Sequence, residues 1–134
     1  MVGKILAEED IDNVDAIGLI SLIYHDGGYG VDKDLEKFEF WIKKAADKGD
    51  IDSAYWLAVY YLEKYTSYEN IEDLNKSIHY LELVAEKKEN CSEENKEKKI
   101  HSCEILSEIY STEEYMDEKK HVLYLDKLNF LRDN

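Results

Sequence analysis

Four histidines and two cysteines are the side chains of this 134-residue chain best suited to hold a metal or carry a covalent step. His101 and Cys103 make the one close pairing, while His25, His79 and His121 are scattered and Cys91 lies further upstream. A structural zinc site needs four ligands, usually delivered as two closely spaced pairs. No second pair accompanies His101 and Cys103, so both are expected to be ordinary residues near a hairpin bend. Two acidic runs, EEDIDNVD at 8–15 and DKDLEK at 32–37, suggest calcium. A calcium loop, however, requires glycine at its sixth position and a closing glutamate, and both runs lack them. They are expected to begin helices. The glycines of GGYG, residues 27–30, precede no Gly-Lys-Ser or Gly-Lys-Thr and follow no strand, which argues against a phosphate cradle. No Gly-x-Ser-x-Gly places a nucleophile beside a base. The expected catalytic, cofactor and metal inventories are therefore empty, and an enzyme is the least favoured class.

Charge and aromatic content point elsewhere. Acidic residues number 31 against 17 basic ones, a formal net charge of -14, which repels nucleic acid and attracts a protein with a basic surface. Arg132 is the single arginine, so paired gripping of phosphates is not available. The apolar run Ile5–Ala7 is far too short for a secretory signal, and no stretch approaches membrane-spanning length. Two cysteines without an export signal are expected to be reduced thiols in a cytoplasmic protein, with no membrane partner. Eleven tyrosines, two tryptophans and three phenylalanines supply many possible interface anchors. On one helical stripe Trp56, Tyr60 and Glu63 follow at four- and three-residue spacing. Tyr55 and Val59, with Leu62, occupy the opposite side, and Tyr65 and Tyr68 fall in an expected exposed turn. Asp26, Glu104 and Glu108 complete the candidate partner-binding set. The stripe has a structural reading too: Leu19 and Ile23, and Ile105 and Ile109, are its apolar equivalents elsewhere, as packing between successive helices would require.

Those equivalences arise because the chain repeats itself. Residues 16–50 run from an apolar helical stretch through a glycine turn to a second, amphipathic stretch. The pattern returns at 53–89, where Leu57, Ala58 and Tyr61 stand for Ile20, Ser21 and Tyr24, and Tyr80 answers Trp41. It returns again at 102–134, with Leu106, Ser107 and Tyr110 followed by Tyr124, Leu125 and Leu128. The second unit replaces the glycines by TSYENIE; the third shortens the turn by three residues. Short side chains at Ala45, Ala46, Ala58, Ala85, Ser21 and Ser107 are expected at helix crossings, with tyrosines filling the wider gaps. Gly28 and Gly30 suit positive φ, and Asp34 and Asp73 suit the starts of second helices. YWLAVYYL, residues 55–62, is apolar all round and is expected to be enclosed by neighbours. EKKENCSEENKEKK, residues 86–99, is an exposed insertion, either helix extension or loop. No proline interrupts any of this.

Gly28, Gly30, Val31, Asp34, Trp41, Ala45, Ala46, Gly49 and Asp50 make the first unit resemble a Sel-one-like repeat, a relative of the tetratricopeptide repeat. The likeness weakens through the second and third units. It implies an all-α fold, an α/α solenoid of three helical hairpins: a short cap at 1–14, repeats at 15–51, 52–90 and 102–134, and a charged insertion at 91–101. A hairpin alone leaves an apolar face uncovered, so such a fold holds only as a stack. The resemblance implies a concave surface for protein recognition. Together with the acidity it favours a small cytoplasmic inhibitor, such as a bacterial immunity protein that blocks a basic toxin or enzyme. A constitutive scaffold joining two proteins is the alternative.

Overall fold

The computed structural model describes residues 13–87 and 92–133, and over these residues the protein is all-helical, built of packed helical hairpins without a strand. Helix α1, Val14–Asp26, starts where the Asn13 side chain accepts from the Ala16 amide at 3.1 Å. Its buried residues Ile17, Ile20, Ser21 and Tyr24 recur at three- and four-residue spacing, which makes one face of a helix. The chain leaves α1 through four successive residues of positive φ, Gly27 to Gly30, Tyr29 among them. Gly28 and Gly30 thus meet the expectation, and reciprocal backbone bonds between Gly28 and Val31 pin the turn at 2.8 and 2.9 Å. Asp34 then accepts from the Glu36 and Lys37 amides, each at 3.1 Å, and opens α2, Leu35–Asp47. Phe38, Trp41, Ile42, Ala45 and Ala46 form its buried face, turned onto α1.

Helix α3, Ile51–Tyr68, begins at Asp50, whose carboxylate accepts from the Ser53 amide at 3.0 Å and the Ser53 hydroxyl at 2.6 Å. The chain divides into two compact units within this helix, the first closing at Leu57 and the second opening at Ala58. Two expectations fail here. Residues 55–62 are not enclosed: Trp56 is exposed, and Tyr55, Val59, Tyr60 and Leu62 are half-buried. Nor do Tyr65 and Tyr68 lie in a turn. Without a glycine to break it, α3 runs on to Tyr68 and reverses only at Glu69, whose φ is 54°. Tyr65 is half-buried on that last stretch and Tyr68 exposed.

In the second unit α4, Ile71–Glu86, is capped by Asn70, which accepts from the Glu72 amide at 3.0 Å. Asp73 is therefore not the cap. It is a buried first-turn residue, where a carboxylate still favours the positive helix end, and Lys64 approaches it at 3.9 Å. Helix α5, Glu93–Ile109, is capped by Ser92, so the charged insertion is helical from Glu93 onward. It is not wholly exposed: Lys98 and Lys99 are buried, whereas 88–91, with Cys91, lie outside the described residues. A 3₁₀ turn, Glu113–Tyr115, leads to α6, Glu118–Asp133, which packs on α5; α5 also packs on α4. The small residues expected at crossings, Ser21, Ala45, Ala46, Ala58, Ala85 and Ser107, are all buried.

One arrangement recurs three times. A buried tyrosine of one helix or its cap lies under a lysine from the next: Lys37 over Tyr24 at 5.4 Å, Lys76 over Tyr61 at 5.3 Å and Lys120 over Tyr110 at 5.1 Å. Tyr61 stacks on Tyr80 with ring centroids 6.3 Å apart, and Tyr110 on Tyr124 at 6.1 Å. Three residues before each of these two tyrosines a helix carbonyl takes a side-chain bond, Ala58 from the Ser77 hydroxyl and Ser107 paired with His121 Nδ1, both at 2.8 Å.

Candidate protein-interaction surface

The ends of α1 and α3 in the first unit frame a groove of about 310 Å³. Its apolar wall is Leu19, Leu22, Ile42 and Trp56, and its polar rim carries Asp15, Asp50 and Asp52 without a basic residue. Leu19 is 62%, Leu22 50% and Trp56 50% exposed, so three large apolar side chains meet solvent together. Local sequence explains the placement. Leu19 and Leu22 lie off the Ile17–Ile20–Tyr24 face that α2 covers, and Gly18 leaves the floor open, since a Cβ there would come no nearer than 3.9 Å, to Ser53. Asp50 caps the Ser53 amide, and Asp15 and Asp52 sit in first helical turns, where a carboxylate favours the positive end. An apolar floor inside a carboxylate rim suits a segment that alternates basic and apolar side chains, since its cations can stay at the solvated edge.

Of the candidate partner-binding residues, only Trp56 lines this groove. Tyr55 sets its ring edge-on to Trp56 at 5.2 Å. Asp26 is exposed at the other end of α1, beside His25 at 2.8 Å. Val59, Tyr60, Glu63, Tyr65 and Tyr68 belong to the second unit; Lys64 lies over the Tyr60 ring at 5.5 Å, and Glu63 is exposed. Glu104 pairs with Arg132 at 3.4 Å on α5, where Glu108 is exposed. Leu22, Asp15 and Asp52 were not singled out, and Asp50 only as part of the repeat pattern. Leu19 was, as the apolar equivalent of Trp56, and that equivalence was the usable signal.

The polar chemistry of the second unit is gathered around Glu82. Its Oε2 accepts from the Tyr110 hydroxyl at 3.0 Å, the Tyr124 hydroxyl at 3.1 Å and Lys120 Nζ at 3.4 Å. Burial, reinforced by Glu82, raises the pKa of both phenols, and the Glu82 charge raises that of Lys120. These groups hold α4, α5 and α6 together. Among the described residues no three histidine, cysteine or carboxylate side chains converge as a metal site, and His101 is exposed whereas Cys103 is a fully buried free thiol. Burial pushes that thiol up to about 11. The histidine and thiol therefore do not present one face to a ligand. No described helix is long and apolar enough to cross a membrane. Compared with known protein families, curated proteins and solved structures, the chain matches none.

Proposed function

We propose that this protein is a non-enzymatic recognition module, an α-solenoid of three Sel-one-like hairpins whose first-unit groove takes a basic and apolar segment of a partner protein. The observation that carries it is the exposure of Leu19, Leu22 and Trp56 within a rim of three carboxylates. The threefold tyrosine–lysine arrangement supports the repeat reading, because three separately evolved hairpins have no reason to place a lysine over the same tyrosine. In its sharper form the module is a cytoplasmic inhibitor of the immunity type, occluding a basic toxin or enzyme, since a net charge of -14 steers a cationic partner into fast encounter.

Affinity capture of the partner, followed by binding kinetics, tests this. Association should slow steeply as salt rises, and Asp15→Asn with Asp52→Asn should lower the on-rate further. Trp56→Ala should weaken binding by about 30-fold or more while helicity is unchanged. Salt-indifferent association together with full affinity in Trp56→Ala would reject both the groove and the steering. A scaffold would instead hold two proteins at once at separable sites.

A further inference from the structure

The second unit holds a pocket of opposite electrostatic character. It lies between the end of α4, the middle of α5 and the last turns of α6, with a volume of about 440 Å³, inside the roughly 300–1,000 Å³ range of small-molecule sites. Leu123, Phe130 and Leu131 make its apolar wall, and Leu123 and Phe130 are left exposed by the fold. Lys87, Lys99 and Lys127 line it beside Glu86 and Asp126, a local excess of positive charge in a chain of net charge -14.

Lys99 is the unexplained group. It is only 8% exposed, yet no carboxylate among the described residues pairs with it; its ammonium donates to the Lys87 carbonyl alone. Its neighbour in sequence, Lys98, is equally buried but has Glu94 at 3.1 Å. A buried ammonium without a counter-ion is costly, and an anion brought into the pocket would relieve that cost. Lys127 flanks the same space, also without an ion-pair partner among the described residues, and both lysines are close enough to the Cys103 thiol to act on its charge. Unpaired lysines beside a wall of leucines and a phenylalanine point to an amphipathic monoanion as the occupant.

We propose that this pocket binds a medium-chain fatty acid, its carboxylate on Lys99 and Lys127 and its hydrocarbon along Leu123, Phe130 and Leu131. The site is independent of the first-unit groove, and its failure would leave the protein-binding reading intact. The test is a titration of the full chain with decanoate, followed by amide chemical shifts, with decanol as the uncharged probe. Saturable shifts are expected at residues around Lys99 and along 123–131, with decanol at least about tenfold weaker. Lys127→Gln and Lys99→Gln should each weaken decanoate by about tenfold and leave decanol unchanged. Equal binding of decanol and decanoate, shifts confined to other helices, or full decanoate affinity in Lys127→Gln would overturn the assignment. Should Lys99→Gln not fold, the partly exposed Lys127 and the decanoate-to-decanol ratio still decide.

Discussion

The first hairpin, α1 with α2, and the last, α5 with α6, close in the same way over different turns. In the first, the Asp34 amide donates to the Tyr24 carbonyl at 2.8 Å; in the last, the Asp117 amide donates to the Tyr110 carbonyl at 3.1 Å. Each aspartate then caps its helix, and the lysine three residues on lies over the same tyrosine. The route between differs. Four residues of positive φ make the first turn, while a 3₁₀ turn three residues shorter and free of glycine makes the last. What the fold preserves is the closing contact, and the turn is free to vary as long as that contact forms. The interiors differ as well. Phe38 packs edge-on against His25 at 4.9 Å in the first hairpin, whereas His121, at the matching position, bonds a helix carbonyl and Glu82 gathers two phenols and an ammonium. The first hairpin therefore rests on backbone geometry and the last on satisfied polar groups.

The largest test of that contrast is Glu82→Ala. It strips the main acceptor from the buried Tyr110 and Tyr124 phenols and from the half-exposed Lys120, and should cost about 2–3 kcal/mol in urea unfolding, because a buried phenol that loses its acceptor pays its desolvation penalty. In the first hairpin, by contrast, His25→Ala should cost less than about 1 kcal/mol. Comparable losses at the two sites would break the distinction. Gly27→Ala comes next. A Cβ at φ 82° would also stand 3.2 Å from the Lys33 amide nitrogen, so a loss of about 1–2 kcal/mol is expected. Glu114→Ala, in the exposed and glycine-free last turn, should stay within about 0.5 kcal/mol. A tolerant Gly27 would show that the first turn is as adaptable as the last.

Much of this framework was readable in the residues. The spacing of Tyr24, Tyr61 and Tyr110 marked three positions where a tyrosine is buried, and Asp34 and the glycine turn were legible because capping and positive φ are decided by neighbours in sequence. The middle turn was misread for the converse reason. TSYENIE has no strong breaker, so nothing local ends α3 before Glu69, and the helix keeps Tyr65 and Tyr68. Asp73 was mistaken for a cap because Asn70, three residues earlier, does that work equally well. Lys98 and Lys99 looked like solvated insertion because burial of a lysine is set by tertiary packing, which a charge-rich run conceals. The groove was half visible: Trp56 and its equivalent Leu19 were flagged, but Asp15, Asp50 and Asp52 acquire a shared role only once α1 and α3 begin near one another.

The last expected effect concerns alkaline pH and again separates the two hairpins. Cys103 keeps its proton in the folded chain up to about pH 11, against an ordinary value of 9.0 once unfolded, chiefly because burial penalises the thiolate. Between those values the unfolded chain has released a proton that the folded chain retains. Raising the pH therefore favours unfolding; the contribution is complete below pH 9 and is lost as pH climbs through 11. At pH 10 the thiol alone should account for about 1 kcal/mol relative to pH 8. Tyr110, Tyr124 and Lys120 are shifted in the same direction, so their loss follows at higher pH. Urea midpoints measured at pH 8 and pH 10 should converge for Cys103→Ala while those of the parent chain move apart. Equal slopes would place the alkaline sensitivity outside α5 and remove one of the polar features that distinguish the last hairpin from the first.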